Sequence, residues 1–256
     1  MSKLLSYYLK RDKWILLAMA ILPLLASVVL TYEIGPVINF MAIYVTFIVA
    51  TLMLCYRDYK RFYGEYSSFF SGLPLTGKEI VGGRVIWFIL VNLWQLVIIL
   101  VKGIEVYLRM LRDISVSTEV KTELIPYLQQ VPPSVYVIGV LLIFTSIIMG
   151  ACSWVFVVSV GSEKIFRRYG IGGPILLYIA LQFVYGIGSS LFVDFLSGHF
   201  LDYYKGSGAV NPDAAIASVT RMVHVIGGAY LVIMAIVSVI LYLRSVYSHE
   251  RKLSAQ

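Results

Sequence analysis

Charge is scarce in this sequence. Asp, Glu, Lys and Arg together make up 14% of it, against about 25% in an ordinary soluble domain, while apolar residues make up 59%. A chain so composed cannot solvate its own surface, which excludes the soluble globular class. Cysteine is nearly absent too. Cys55 and Cys152 lie in separate apolar runs without CxxC spacing, so they read as buried free thiols, with no disulfide framework or thiolate metal site. The three histidines, His199, His224 and His249, are scattered. They form no HExxH, and no Ser/His pairing sets a nucleophile in an apolar run, which argues against an intramembrane protease. The middles of the long apolar runs lack charge as well: Glu33, Glu105 and Asp194 sit at or near their outer ends. With no intramembrane carboxylate and no internal repeat, an ion- or proton-coupled carrier is the weaker alternative reading.

What is present is apolar length. A helix needs about 20 apolar residues to cross a hydrocarbon layer of roughly 30 Å. Six segments qualify, at about 14–32, 36–56, 84–104, 135–160, 169–197 and 222–243. The first has an apolar core too long for a cleaved leader, and no small-x-small cleavage site in it opens into a soluble domain. The expected fold is an all-α membrane protein, one transmembrane domain over residues 1–256. Residues 2–13, with Leu4, Leu5, Tyr8 and Leu9 on one face, predict an interfacial helix before the first span. With the N-terminus in the cytosol, 15 of the 21 Lys and Arg residues fall on cytosolic segments, so both termini are expected there. The formal charge of +7 then reports topology and contact with anionic membrane lipid, and nucleic acid is not implied.

The outer segments are 105–134, closed by Pro132-Pro133, and 198–221, where Asn211-Pro212 predicts a capped outer helix. Span five is longer than a bilayer requires, and Gly186-Ile-Gly188 suggests a tilt or a break. Ser146, Gly150 and Ser153 give span four a small-residue packing face. Asn92, Gln95 and Gln182 lie deep in spans; they either hydrogen-bond between helices or line a path for the polar part of a substrate.

The cytosolic elbow at 57–84 (RDYKRFYGEYSSFFSGLPLTGKEIVGGR) is the most structured connection. Phe62, Tyr66, Phe69, Phe70 and Leu73 recur at helical spacing, with Arg61, Glu65, Ser68 and Gly72 on the other side. Leu73-Pro74 ends that helix. Thr76 and Glu79 match a capping box, so a second helix starts at Thr76 and runs into span three. Gly72 to Lys78 also fits G-x-x-x-x-G-K, but Glu79 stands where Ser or Thr should bind magnesium, no strand precedes it, and Pro74 removes an amide. The chain carries no nucleotide-binding motif, and no catalytic or metal-binding residues are assigned.

Six spans, an interfacial helix and the run Glu65, Tyr66–Gly72, Leu73-Pro74, Thr76-Gly77-Lys78-Glu79-Ile80 resemble the permease subunits of bacterial ABC-2-type exporters. The outer segment 105–134 is longer than many simple members carry. The resemblance implies that the elbow is a coupling helix resting in a cleft of a separate P-loop ATPase subunit, which holds the ATP and magnesium. It implies a docking face of Phe62, Tyr66, Phe69 and Phe70, a polar anchor at Glu65, and Leu73-Pro74 setting the angle into span three. Glu163 and Lys164 in the short 161–168 connection would make a secondary contact. It further implies a pair of permeases, two copies or a copy and a homologue, in a bacterial plasma membrane. The chain is also similar to permeases that export amphipathic peptides such as phenol-soluble modulins and bacteriocin-type toxins. Lipid or hydrophobic drug cargo stays open beside peptide.

Overall fold

The computed structural model describes residues 2–29, 35–67, 75–113, 131–204 and 220–253. Among these residues the fold is entirely helical. The long helices are α1 Ser2–Val29, α2 Gly35–Phe62, α3 Gly77–Asp113, α4 Pro133–Val160, α5 Gly172–Tyr204 and α6 Gly228–Tyr247. Wide π turns, Val223–Gly227 and Ser248–Leu253, extend α6 at both ends. Five stretches are long and apolar enough to cross a membrane: Phe40–Phe62, Gly77–Glu105, Pro133–Val160, Gly172–Phe192 and Thr220–Arg251. Within them, hydroxyls at Thr46, Ser153, Ser238 and Ser245 donate to carbonyls one turn back, so they leave no polar group facing hydrocarbon.

Several expected boundaries move. The interfacial segment 2–13 and the first span are one continuous helix that passes Lys13 without a break and continues through Pro23. One face of its charged half packs on neighbouring helices, where Tyr8 and Asp12 are fully buried. Span three overshoots its expected end. At 37 residues, α3 is about 55 Å long, so the start of segment 105–134 is its continuation through Asp113. Pro132-Pro133, expected as a stop before span four, lies at its start: Pro133 is in the first turn of α4, where a missing N–H costs nothing. The break at Gly186-Ile-Gly188 is absent: α5 is continuous through both glycines. The capped helix at Asn211-Pro212 lies outside the described residues.

The helices alternate in direction, so the starts of α1, α3 and α5 meet the ends of α2, α4 and α6 at one charged end. The core sits towards that end, where Tyr8, Met19, Leu54, Trp87, Phe88, Val91, Val155 and Val158 are almost wholly buried. α6 packs chiefly on α4, α4 on α3, and α1 on α2 and α3. α5 leans mainly on α4, through a Trp154–Tyr178 stack at 4.4 Å and a Ser153–Tyr185 hydroxyl contact at 3.0 Å. From Ile175 to Phe192 none of the α5 side chains described is buried. The expected small-residue face divides: Gly150 faces Asn92, Ser153 meets α5, and Ser146 lines an open apolar groove with α6.

The α4–α5 connection is closed by glycine against glycine. A Cβ at Gly173 would stand 2.3 Å from the Gly161 carbonyl oxygen, and one at Gly161 would meet Pro174 at 2.6 Å. Gly170 turns the chain with a positive φ of 54°. Gly186, by contrast, has open space around it. Gly173→Ala should therefore destabilise the protein by about 1–3 kcal/mol, because backbone must move. Gly186→Ala should be neutral or stabilising by up to about 1 kcal/mol, since Ala favours the helix. Thermal unfolding of both variants in one detergent checks the contrast; equal effects would contradict the packing argument.

Candidate functional site

The site begins with two carboxylates set among bases. Asp12 lies in the run Lys10-Arg11-Asp12-Lys13, and Asp58 lies between Arg57 and Lys60. Arg57 and Arg61 are one helical turn apart on α2, so they present to the same side. Both reach α1: Asp12 Oδ1 accepts from Arg61 Nη2 at 2.7 Å and from Arg57 Nη1 at 3.0 Å. Asp12 and Arg61 are buried, and the Arg61 guanidinium lies 4.6 Å from the Tyr8 ring centre and 5.6 Å from that of Tyr7.

Asp58, one turn before Arg61, lies between α1 and α3. Arg84, fully buried in the second turn of α3, donates from Nη2 at 2.6 Å and Nε at 2.9 Å to Asp58 Oδ2. Tyr8 donates to the other oxygen at 3.0 Å. Burial, and then the Asp58 carboxylate, raise the Tyr8 phenol well above its ordinary value, so it stays a donor. Arg84 Nη1 donates to the Tyr63 hydroxyl at 2.8 Å and to Ser159 Oγ on α4 at 2.9 Å. Phe62 and Tyr63 cover the guanidinium at 4.9 and 5.4 Å. One cation thus ties α1, α2, the turn after α2, α3 and α4 together. Below it, Trp87 stacks on Tyr8 at 5.2 Å.

The elbow leads out of this network. The amphipathic helix expected over residues 62–73 does not start as one piece. Phe62 ends α2 and is buried, whereas Tyr66 lies in the following turn and is exposed. The two do not share a helical face. Two features break it: Tyr63 is drawn inward by Arg84, 21 residues on, and Gly64 turns so tightly that a Cβ would meet Lys60 Cα at 2.9 Å. Glu65 pairs with Lys60 at 3.1 Å, and the Tyr66 ring sits 5.1 Å from the Arg11 guanidinium. Phe69, Phe70, Leu73 and Pro74 lie outside the described residues.

The capping box forms. The Thr76 amide donates to Glu79 Oε2 at 2.9 Å, and the Glu79 amide donates to Thr76 Oγ1 at 3.3 Å. Glu79 is thereby committed to the start of α3. Asn92 donates to the Ile147 carbonyl at 3.2 Å and Gln95 to Thr51 Oγ1 at 2.9 Å, so both bond between helices. Gln182 is exposed on α5 and bonds Tyr178 one turn away. In the 161–168 connection, Glu163 is buried and pairs with Arg244 at 2.7 Å, while Lys164 is exposed. A surface contact there falls to Lys164. Among the described residues, no three His, Cys, Asp or Glu side chains gather where a metal ion could be held. Cys55 and Cys152 are buried and free.

Counting Lys and Arg for topology missed Asp12, Asp58, Tyr63 and Arg84. The signal was the carboxylates: a bias towards basic residues explains Lys and Arg at this end, but not two acids among them. Asp58→Leu alone should cost about 3–5 kcal/mol, because it strands the buried Arg84 charge; Asp58→Leu with Arg84→Met should recover most of that loss. A double-mutant cycle by thermal unfolding checks this, and simple additivity would dismiss the coupling.

No family model, curated protein or solved structure matches the chain, so the reading of this site rests on its own geometry.

Proposed function

We propose that the chain is the membrane-spanning permease subunit of an ATP-driven exporter of the ABC-2 type. In this reading α1 is the first of six spans, the protein lies in a bacterial plasma membrane, and the charged end with both termini faces the cytosol. The observation that carries the reading is the elbow: a capped helix start joined to a buried ionic network that holds both helices flanking it. A connection meant only to return the chain would need neither device. A connection that receives force needs both, because a lever that yields at its root transmits nothing.

ATP hydrolysis, with its magnesium, belongs to a separate P-loop ATPase subunit, and this chain itself is no enzyme. Two permeases, identical or homologous, would pair around a central path, each resting an elbow on one ATPase subunit. Closure of the ATPase pair would push the elbows, and α2 and α3 would follow. Docking falls to Glu65, Tyr66 and the segment 68–74, with Lys164 beside it. Phe62 serves instead as a lid on Arg84. The cargo class favoured is an amphipathic peptide, with lipid or hydrophobic drug as the alternative. The outward faces support this, being apolar and aromatic, with Tyr44, Trp94, Phe144 and Phe183 exposed.

The test is the mass of the intact complex, extracted gently from its native membrane through a tag on this chain. Two permeases with two ATPase subunits are expected. A bare oligomer, under conditions that keep other ATPase-permease complexes whole, would overturn the reading and put the coupled carrier first. Replacing Phe69 and Phe70 with Glu should release the ATPase while the membrane fold persists; retention would remove those two residues from the docking face.

A further inference from the structure

The turn Ser248–Leu253 does not trail away from the bundle. Ser248 is fully buried and donates to the Ser159 carbonyl at 3.2 Å, beside the serine hydroxyl that accepts from Arg84. The His249 ring stands edge-on to Phe62 at 6.4 Å and Tyr63 at 6.3 Å, with Nδ1 3.4 Å from the Tyr63 hydroxyl. Glu250 lies over the first residue of α3, so closely that a Cβ on Gly77 would meet its Cγ at 2.3 Å. Three consecutive residues therefore touch α4, the turn after α2, and the start of α3. The helix widens into a π turn at this point, a distortion kept where it has a use.

We propose that Ser248–Leu253 is a strut through which α6 holds the elbow, with His249 as its positioning residue and Ser248 as its anchor. α2 and α3 hold the elbow by chain connection. α6 has no such connection, and the contacts of His249 and Glu250 give it direct purchase. Displacement of the elbow then reaches α6 without passing through α4. The strut is a statement about this chain alone; its use in export rests on the proposed function.

The test is amide hydrogen exchange on the full-length chain in detergent, comparing wild type, His249→Ala and His249→Phe. His249→Ala removes the ring and its polar contact, and should speed exchange about tenfold or more at Tyr63, Tyr66 and Ile80, with α5 unchanged. His249→Phe keeps a ring in the gap and should restore most of the protection. Unchanged exchange at the elbow in His249→Ala would overturn the strut. So would a rise spread evenly over α3, α4 and α5, which would make His249 a general stabiliser. In the complex, His249→Ala should keep the ATPase bound while export falls about tenfold, and undiminished export would overturn the force path. If the wild-type chain carries no ATPase, the exporter reading fails, while the exchange result still decides the strut.

Discussion

A buried guanidinium governs this bundle. Arg84 cannot release its proton, and an unpaired charge within apolar helices would cost many kcal/mol. Every nitrogen of its head therefore needs an acceptor, and the fold supplies them from three places: Asp58 on α2, Tyr63 in the turn beyond it, and Ser159 on α4. Each acceptor is fixed in turn. Tyr8 holds the second oxygen of Asp58, the Phe62 ring covers the cation, and Ser248 binds the carbonyl of Ser159. Satisfying one side chain thus sets the relative placement of five helices at one end. A buried ion pair contributes little net stability against an apolar replacement, but it tolerates no alternative register.

The consequence is a bundle of unequal firmness. At the charged end, polar bonds are directional and the side chains are fully buried. Among the described residues, α5 leans mainly on α4 and presents apolar side chains outward. In a bilayer those faces lose nothing, because lipid tails solvate them as well as Leu and Val do. Further along, single polar bonds tie neighbouring helices: Asn92 to the Ile147 carbonyl, Gln95 to Thr51, and His224 to Ser134 where α4 starts.

Much of this was legible in the sequence, and the rest failed for definite reasons. Five of the six expected spans recur as long apolar helices, readable because apolar length is a local property. The capping box and the Pro132-Pro133 boundary were readable because their partners lie within a few residues. The continuity of α1 was not, since Asp12 within it meets Arg61, 49 residues away. Likewise the amphipathic stripe after Phe62 obeyed helical spacing, but Tyr63 is claimed by Arg84, 21 residues on, and the chain turns at Gly64. The glycines of α5 look like a break, yet a helix accommodates them when nothing crowds their backbone. Glu163 looked like a surface contact until Arg244, from the far end of the chain, took it. Apart from α5, these misses are long-range charge or ring contacts overriding a local pattern.

These contacts also decide what the elbow can present. Phe62 has Arg84 against its face and His249 at its edge, so its ring is committed on both sides. Tyr63 is committed through its hydroxyl to Arg84, Ser159 and His249. The aromatic run therefore splits at Gly64 into rings that anchor and rings that follow. Tyr66 is the first beyond the split and is exposed, with its ring 5.1 Å from the Arg11 guanidinium. Burial and these contacts leave Phe62 little surface to present, whereas Tyr66 is exposed.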